Sequence, residues 1–346
     1  MADGETSRAR RSYPDLSPRD PSKSALHAIL RDHLETFLAE REEAGAPLPR
    51  FVTKELRAAL SCGVLRNGCA HYRCDGCGLS RVVALSCKGR GFCPRCIGRQ
   101  MTVLARELTE RVFPDVRSRQ WVLSFPFGLR CALAFDHELT LALTRVAQCE
   151  IERRYRRLAR EAGLTKPRGG AFVAIQRCGA DLRPNVHLHA LFLDGAYGTN
   201  AHGREVFFEA PAPTPAEVEA ILTRIVSRAR ALLAEREPDL DALDESERSL
   251  AETLAAATST RGTTSHAPEL DDDHGAQVHL STRRKARIED FDLDAVLAIA
   301  PHDRERREAM FRYFLRPPLA HDRLTYLPAG LDSRVLLSLK RPRSDG

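Results

Sequence analysis

Residues 185–193 read Asn-Val-His-Leu-His-Ala-Leu-Phe-Leu, and no other stretch constrains the fold so tightly. The run is apolar and partly β-branched, with Pro184 before it and Asp194-Gly195 after it, so it reads as a strand stopped at both ends. Side chains alternate across a strand, which puts His187 and His189 on one face and Val186, Leu188 and Ala190 on the other. One face then packs on a core. The other presents two imidazoles a few ångströms apart, which is a metal-ligand geometry. Two alternating histidines can also sit idle in solvent, so the flanking sequence has to decide.

On the upstream side, Gly169-Gly170 leads into a second strand, Ala171–Arg177, and a loop with Asp181 and Pro184 joins it to the first. The two should pair as an antiparallel hairpin, which sets Gln176 beside the histidine face. Gln120–Phe125 reads as a buried strand ended by Pro126. Residues 136–161 form a long amphipathic helix through Leu139, Leu143, Val146, Ile151 and Tyr155. Arg153, Arg154, Arg156 and Arg157 near its end make either a solvated face or a track for a DNA backbone. A short strand at Glu205–Phe208 and a helix at Pro215–Glu235 follow, and the acidic, aperiodic residues 236–277 read as a flexible insertion. Order resumes near Val278, with a strand around Ala295–Ile299. A helix then runs from Asp303, its cap, to Leu315, before Pro317-Pro318. Tyr313 lies on its last turn between Arg312 and Arg316, a place where partial core packing is the usual role.

The N-terminal part has a different character. Residues 1–24 are polar and aperiodic, a disordered basic arm. A helix starts at Ala25 and ends at Gly45-Ala46-Pro47, and a second covers Val52–Leu60. Seven of the ten cysteines then fall between Cys62 and Cys96. Cys74-Asp-Gly-Cys77 and Cys93-Pro-Arg-Cys96 are two Cys-x-x-Cys knuckles fifteen residues apart, the spacing of a four-thiolate zinc ribbon. Zinc, bound at about 2.3 Å by each sulfur, supplies folding energy that so short a stretch cannot draw from a core. The expected ligands are therefore Cys74, Cys77, Cys93 and Cys96. Cys87 could replace one of them, while Cys62 and Cys69 read as small buried residues or contributors to a second site. Arg73, Arg81, Lys88, Arg90, Arg95 and Arg99 are interleaved with the knuckles, as a polyanion-binding surface would require. A helix from Arg99 to Val112 closes this part.

The formal net charge of +6 and the excess of arginine over lysine suit a phosphate-binding surface. No run approaches the roughly 18 apolar residues of a membrane span, and the N-terminus has no signal-peptide core, so a cytoplasmic location is expected. Ten cysteines in a reducing compartment argue for metal rather than disulfides.

Several pieces together resemble one family. They are Ser86-Cys-Lys-Gly-Arg-Gly-Phe-Cys-Pro-Arg-Cys96, Gln120-Trp-Val-Leu-Ser-Phe-Pro126, Gln176-Arg-Cys-Gly179, Val186–Gly195, and Arg312-Tyr-Phe-Leu-Arg-Pro-Pro-Leu-Ala320 with Arg323-Leu324. In this order they resemble the rolling-circle transposases of the insertion-sequence ninety-one type, over about residues 25–235 and 280–345. The resemblance implies an α+β chain with an N-terminal zinc-binding domain and a nuclease domain of the His-hydrophobic-His (HUH) superfamily. That domain would be an antiparallel sheet with helices on one face and the tyrosine helix beside the histidines. The implied segments are a basic arm at 1–24, a helical and zinc-binding domain at 25–112, a first nuclease part at 115–235, an insertion at 236–277 and a second nuclease part at 278–346.

By position, the resemblance makes His187 and His189 ligands of a catalytic Mg²⁺ or Mn²⁺, with Gln176 the choice for the third ligand. Tyr313 becomes the nucleophile. The implied substrate is single-stranded DNA at the ends of the element, handled on the nucleoid, with a homo-oligomer as an open possibility. Some relatives carry two tyrosines four residues apart; Ala309 stands at the earlier position, so a single-tyrosine version is expected. Asp294 stands where the family usually has a histidine. The family also continues through a further basic segment, so a truncated end at Gly346 is expected. Two other readings stay open: an inactive DNA-binding remnant, and a plasmid relaxase or replication initiator with the same nuclease core.

Overall fold

A computed structural model describes residues 21, 24–89, 91–179, 182–240, 284–319, 323–329 and 333–339. The expected arm at 1–24 and insertion at 236–277 lie outside these, apart from Pro21, Ser24 and residues 236–240. The chain starts with α1 (Ala25–Glu43), α2 (Arg50–Ser61), β1 (Cys69–Arg73), β2 (Ser80–Ala84) and α3 (Pro94–Glu107). Then come β3 (Ser118–Ser124), α4 (Phe127–Phe135), α5 (His137–Glu161), β4 (Thr165–Arg168), β5 (Ala171–Cys178) and β6 (Pro184–Leu193). The remainder is β7 (Gly195–Thr199), β8 (Glu205–Glu209), α6 (Pro215–Leu240), β9 (Lys285–Ile288), β10 (Phe291–Asp294), β11 (Ala298–Ile299), α7 (Arg304–Phe314), β12 (Leu324–Leu327) and β13 (Arg334–Leu337). The chain is α+β, and it divides into two units: Met1–Ile97 with Leu324–Leu336, and Gly98–Arg323 with Leu337–Gly346.

In the first unit, α1 buries Leu26, Leu30 and Leu34, spaced four apart so that they form one stripe. α1 packs on α2 and on β12, where the Tyr326 hydroxyl donates to Asp32 at 3.0 Å. β12 pairs with β13, so the C-terminal hairpin packs within the N-terminal unit. β1 and β2 form a hairpin of their own.

The second unit is built on an antiparallel sheet in the order β5-β6-β3-β10-β9, with β11 pairing the other end of β3. The expected hairpin is present, with Gln176 opposite His187. Period-2 alternation splits this sheet cleanly. Trp121, Leu123, Val186, Leu188, Ala190, Phe192, Phe291 and Leu293 belong to one core with α4, α5 and α6. Phe172, Ala174 and Leu191 face the other way, onto Ala105, Leu108, Met310, Phe311 and Phe314 of the α3 and α7 segments. The helix expected at Arg99–Val112 begins earlier, at Pro94, and its last turn, Leu108–Val112, is π-helical. The β9–β10 hairpin and α4 have no counterpart in the sequence reading. A small sheet, β4-β7-β8, flanks the main one.

Local chemistry sets the helix starts. Asp136 caps α5 by accepting from the Leu139 N–H. Thr214 and Glu217 form a reciprocal capping box at α6, Thr214 N–H to Glu217 at 3.0 Å and Glu217 N–H to Thr214 at 3.2 Å. Asp303 caps α7 through the Arg306 N–H. Glu150 of α5 is buried, held by Arg224 at 2.9 Å and Arg228 at 2.8 Å from α6, so the two helices are pinned by charge as well as by packing.

Asp194, at the end of β6, is fully buried. Its carboxylate accepts from Arg119 Nη2 at 2.8 Å, lies 2.9 Å from Arg117 Nε, and accepts from the Tyr155 hydroxyl at 3.0 Å. The Trp121 indole N–H donates to that hydroxyl at 3.1 Å. Gly195 follows because a Cβ there would collide with the Phe208 carbonyl as the chain leaves one sheet for the next. Removing the acid leaves buried Arg119 without its carboxylate, while Arg117 keeps Glu209 at 2.8 Å, and uncompensated buried charge costs about 3–5 kcal/mol. Asp194→Ala is therefore expected to lose about that much stability, read from the urea midpoint and slope.

Candidate active site and cysteine cluster

Register decides which side chains share the histidine face. Across the strands, Gln176 (β5), His187 (β6), Ser124 (β3) and Asp292 (β10) form one row, and Ala174, His189, Val122 and Asp294 form the next. All of these point away from the main core, because their alternate neighbours fill it. The histidine ring centroids are 4.9 Å apart, and both residues are buried. Asp294 is 3.0 Å from Lys285 Nζ and accepts from the Val296 N–H at 2.8 Å.

α7 lies on this face. Its C-terminal turn sets Tyr313 edge-on to His189, with ring centroids 5.2 Å apart at 89°. The Arg316 guanidinium stacks over the Tyr313 ring at 4.3 Å, and Gln176 Nε2 donates to the Tyr313 carbonyl at 3.4 Å. The other end of the helix is held by Asp115. That carboxylate accepts from the His302 N–H at 2.8 Å and from buried Arg307 at 3.1 Å. These contacts, the His302 N–H first, hold its pKa down at about 2.

Burial pushes both imidazoles below their ordinary range, and more so for His189, where His187 and Arg316 add to the effect. For His187, Arg316 and Arg130 act in the same direction. Both rings are thus neutral near pH 7, the form in which histidine binds metal. Nδ1 of His187 lies 2.7 Å from the Asn185 carbonyl, and Nδ1 of His189 lies 3.2 Å from Gln120 Nε2. Both Nε2 atoms are buried and have no hydrogen-bond partner among the described residues. A buried polar atom without a partner is costly unless something fills its place, and two side by side suit one cation. His187, His189, Gln176 and Tyr313 are therefore brought together. Sequence reasoning missed Gln120 and Arg316, although the polar residues at 118, 120 and 124 already marked one face of β3.

The cysteines assemble differently from the expectation. Sulfurs of Cys62, Cys87, Cys93 and Cys96 all lie within 4.8 Å of one another, with Cys62–Cys96 at 3.6 Å and Cys87–Cys96 at 3.5 Å. Four thiolates at about 2.3 Å from a tetrahedral zinc would sit roughly 3.8 Å apart. The fit is close. Cys93 and Cys96 are in the expected set, whereas Cys74 and Cys77 are exposed and outside this group. The hairpin is the reason. Its turn carries Cys74 and Cys77, while Cys62 follows α2 and Cys87 follows β2, where the chain returns toward α3. Hydrogen bonding from the Cys62 thiol, helped by the Cys96 N–H, lowers Cys93 to about 5, while burial raises Cys87 to about 11.

Comparison with known proteins agrees with this geometry. Residues 29–125 match a family described as "Transposase zinc-binding domain", and residues 170–346, just over half the chain, match one described as "Putative transposase". The chain belongs to the insertion-sequence ninety-one family of transposases. No curated protein and no solved structure matches it. Among the described residues, no helix of the transposase is long and apolar enough to cross a membrane. Zinc analysis by mass spectrometry tests the cysteine geometry. Serine at Cys62 or Cys87 is expected to remove about one bound zinc per chain, and serine at Cys74 to leave that ion in place.

Proposed function

We propose that this transposase nicks single-stranded DNA at the ends of its element and carries the cut strand as a 5′-phosphotyrosine on Tyr313. The observation that supports this best is the pair of buried, partnerless Nε2 atoms of His187 and His189 beside the Tyr313 ring. In the step, the Tyr313 oxygen attacks phosphorus and a new P–O bond forms as the bond to the 3′-oxygen breaks. The phenol gives up its proton and the 3′-oxygen takes one, so charge balances and the bond energy is kept for rejoining. A bound Mg²⁺ or Mn²⁺ would polarise the phosphate and help the 3′-oxygen leave. His187 and His189 would hold that ion, with Gln176, in the same row, as third ligand. Arg316 and Arg130 bring two guanidinium groups toward the pair, suited to phosphate oxygens. Zinc would sit on Cys62, Cys87, Cys93 and Cys96 and serve the fold. With Ala309 four residues earlier, one tyrosine acts per active site.

The test uses labelled single-stranded DNA spanning the element's end, on denaturing gels. A covalent adduct is expected with Mn²⁺, none with EDTA, and none with Tyr313→Phe. His187→Ala or His189→Ala is expected to slow its formation about 100-fold or more. A gel shift that survives EDTA, with no adduct under any condition, would favour the DNA-binding remnant and sink the nuclease reading.

A further inference from the structure

We infer that Gln120 is a positioning residue, which turns its amide oxygen toward His189 Nδ1 and so keeps the Nε2 lone pair of His189 free for the ion. The inference rests on the metal-dependent reading above. A neutral imidazole carries one proton and coordinates through the nitrogen that lacks it. For His187 the matter is settled by the backbone. Its Nδ1 is 2.7 Å from the Asn185 carbonyl, which can only accept, so Nδ1 carries the proton and Nε2 the lone pair.

Among the described residues no carbonyl meets His189 Nδ1; the side-chain Nε2 of Gln120 lies 3.2 Å from it, and the proposed orientation is the amide turned over. An amide can present either end, because its oxygen and nitrogen have nearly the same shape. If the NH2 faced Nδ1, the proton would sit on Nε2. That N–H would then be buried without an acceptor and would point at the space where the ion belongs. If the oxygen faces Nδ1, the ring donates to it, and Nε2 offers a lone pair beside that of His187. The second arrangement satisfies the buried donor and makes both histidines equivalent ligands.

Gln120 is well placed to hold that orientation. It is buried on β3, diagonal to His189, since it faces Leu191 while Val122 faces His189. Its backbone N–H is fixed to the Leu297 carbonyl at 2.9 Å. The amide thus reaches the histidine from a central strand rather than from a loop.

Mn²⁺ affinity of the full, zinc-loaded chain tests this, by calorimetry and by the Mn²⁺ electron-spin signal, with thermal melts to confirm folding. His189→Ala is expected to abolish tight binding. Gln120→Leu, similar in size but unable to accept, is expected to weaken it about 10–100-fold. Gln120→Glu, which presents only acceptors to the ring, is expected to stay within a few-fold of wild type. Wild-type affinity in Gln120→Leu would overturn the inference, and so would a loss in Gln120→Glu as large as that in Gln120→Leu. No Mn²⁺ binding by the wild type, with zinc still bound, would instead remove the metal reading itself and this inference with it.

Discussion

A single buried carboxylate governs much of the second unit. Asp194 has no water to solvate it, so its charge must be met by Arg119, Arg117 and Tyr155. Those partners come from β3, from the segment leading into it, and from α5, while Arg119 also donates to the Ala295 carbonyl at 3.0 Å. Strand register follows. A one-residue slip between β3 and β6 would pull Arg119 off the acid and at the same moment turn both histidines into the apolar core.

That register also separates two jobs. The face toward α5 and α6 carries most of the sheet's large apolar side chains and so forms the main core. The opposite face has a smaller apolar patch under α7 and can therefore tolerate two neutral imidazoles, a glutamine and a serine in one region. α7 is gripped near both ends, by Asp115 at its start and by Gln176 at its last turn. Tyr313 is thus placed by a helix rather than a loop, as the proposed attack on a phosphate would require.

How much of this the sequence revealed depended on how local the signal was. The histidine pair, the Ala171–Arg177 partner strand and the cap at Asp303 were legible because each is written within a few residues. The grouping of the thiols was only partly legible. Cys-x-x-Cys spacing pairs neighbouring sulfurs but does not say that the hairpin turn carries Cys74 and Cys77 away from Cys62 and Cys87, and a buried lone thiol reads as a core residue. The β9–β10 hairpin was missed since its strands are four residues each, too short for periodicity to register. Gln120 was hidden for a different reason. Its meaning lies in a ring on the neighbouring strand, and no single stretch of sequence contains both.

The C-terminal hairpin has a consequence for how such a protein can be taken apart or inherited. Because β12 packs on α1, a segment from near the C-terminus belongs to the first unit, so that unit is built from two separate stretches of the chain. A single cut cannot yield two whole halves. A gene fragment that carries only the sheet and its tyrosine would bring along an orphan hairpin, and one that carries only the cysteines would lack it. Neither unit is therefore encoded by one uninterrupted stretch.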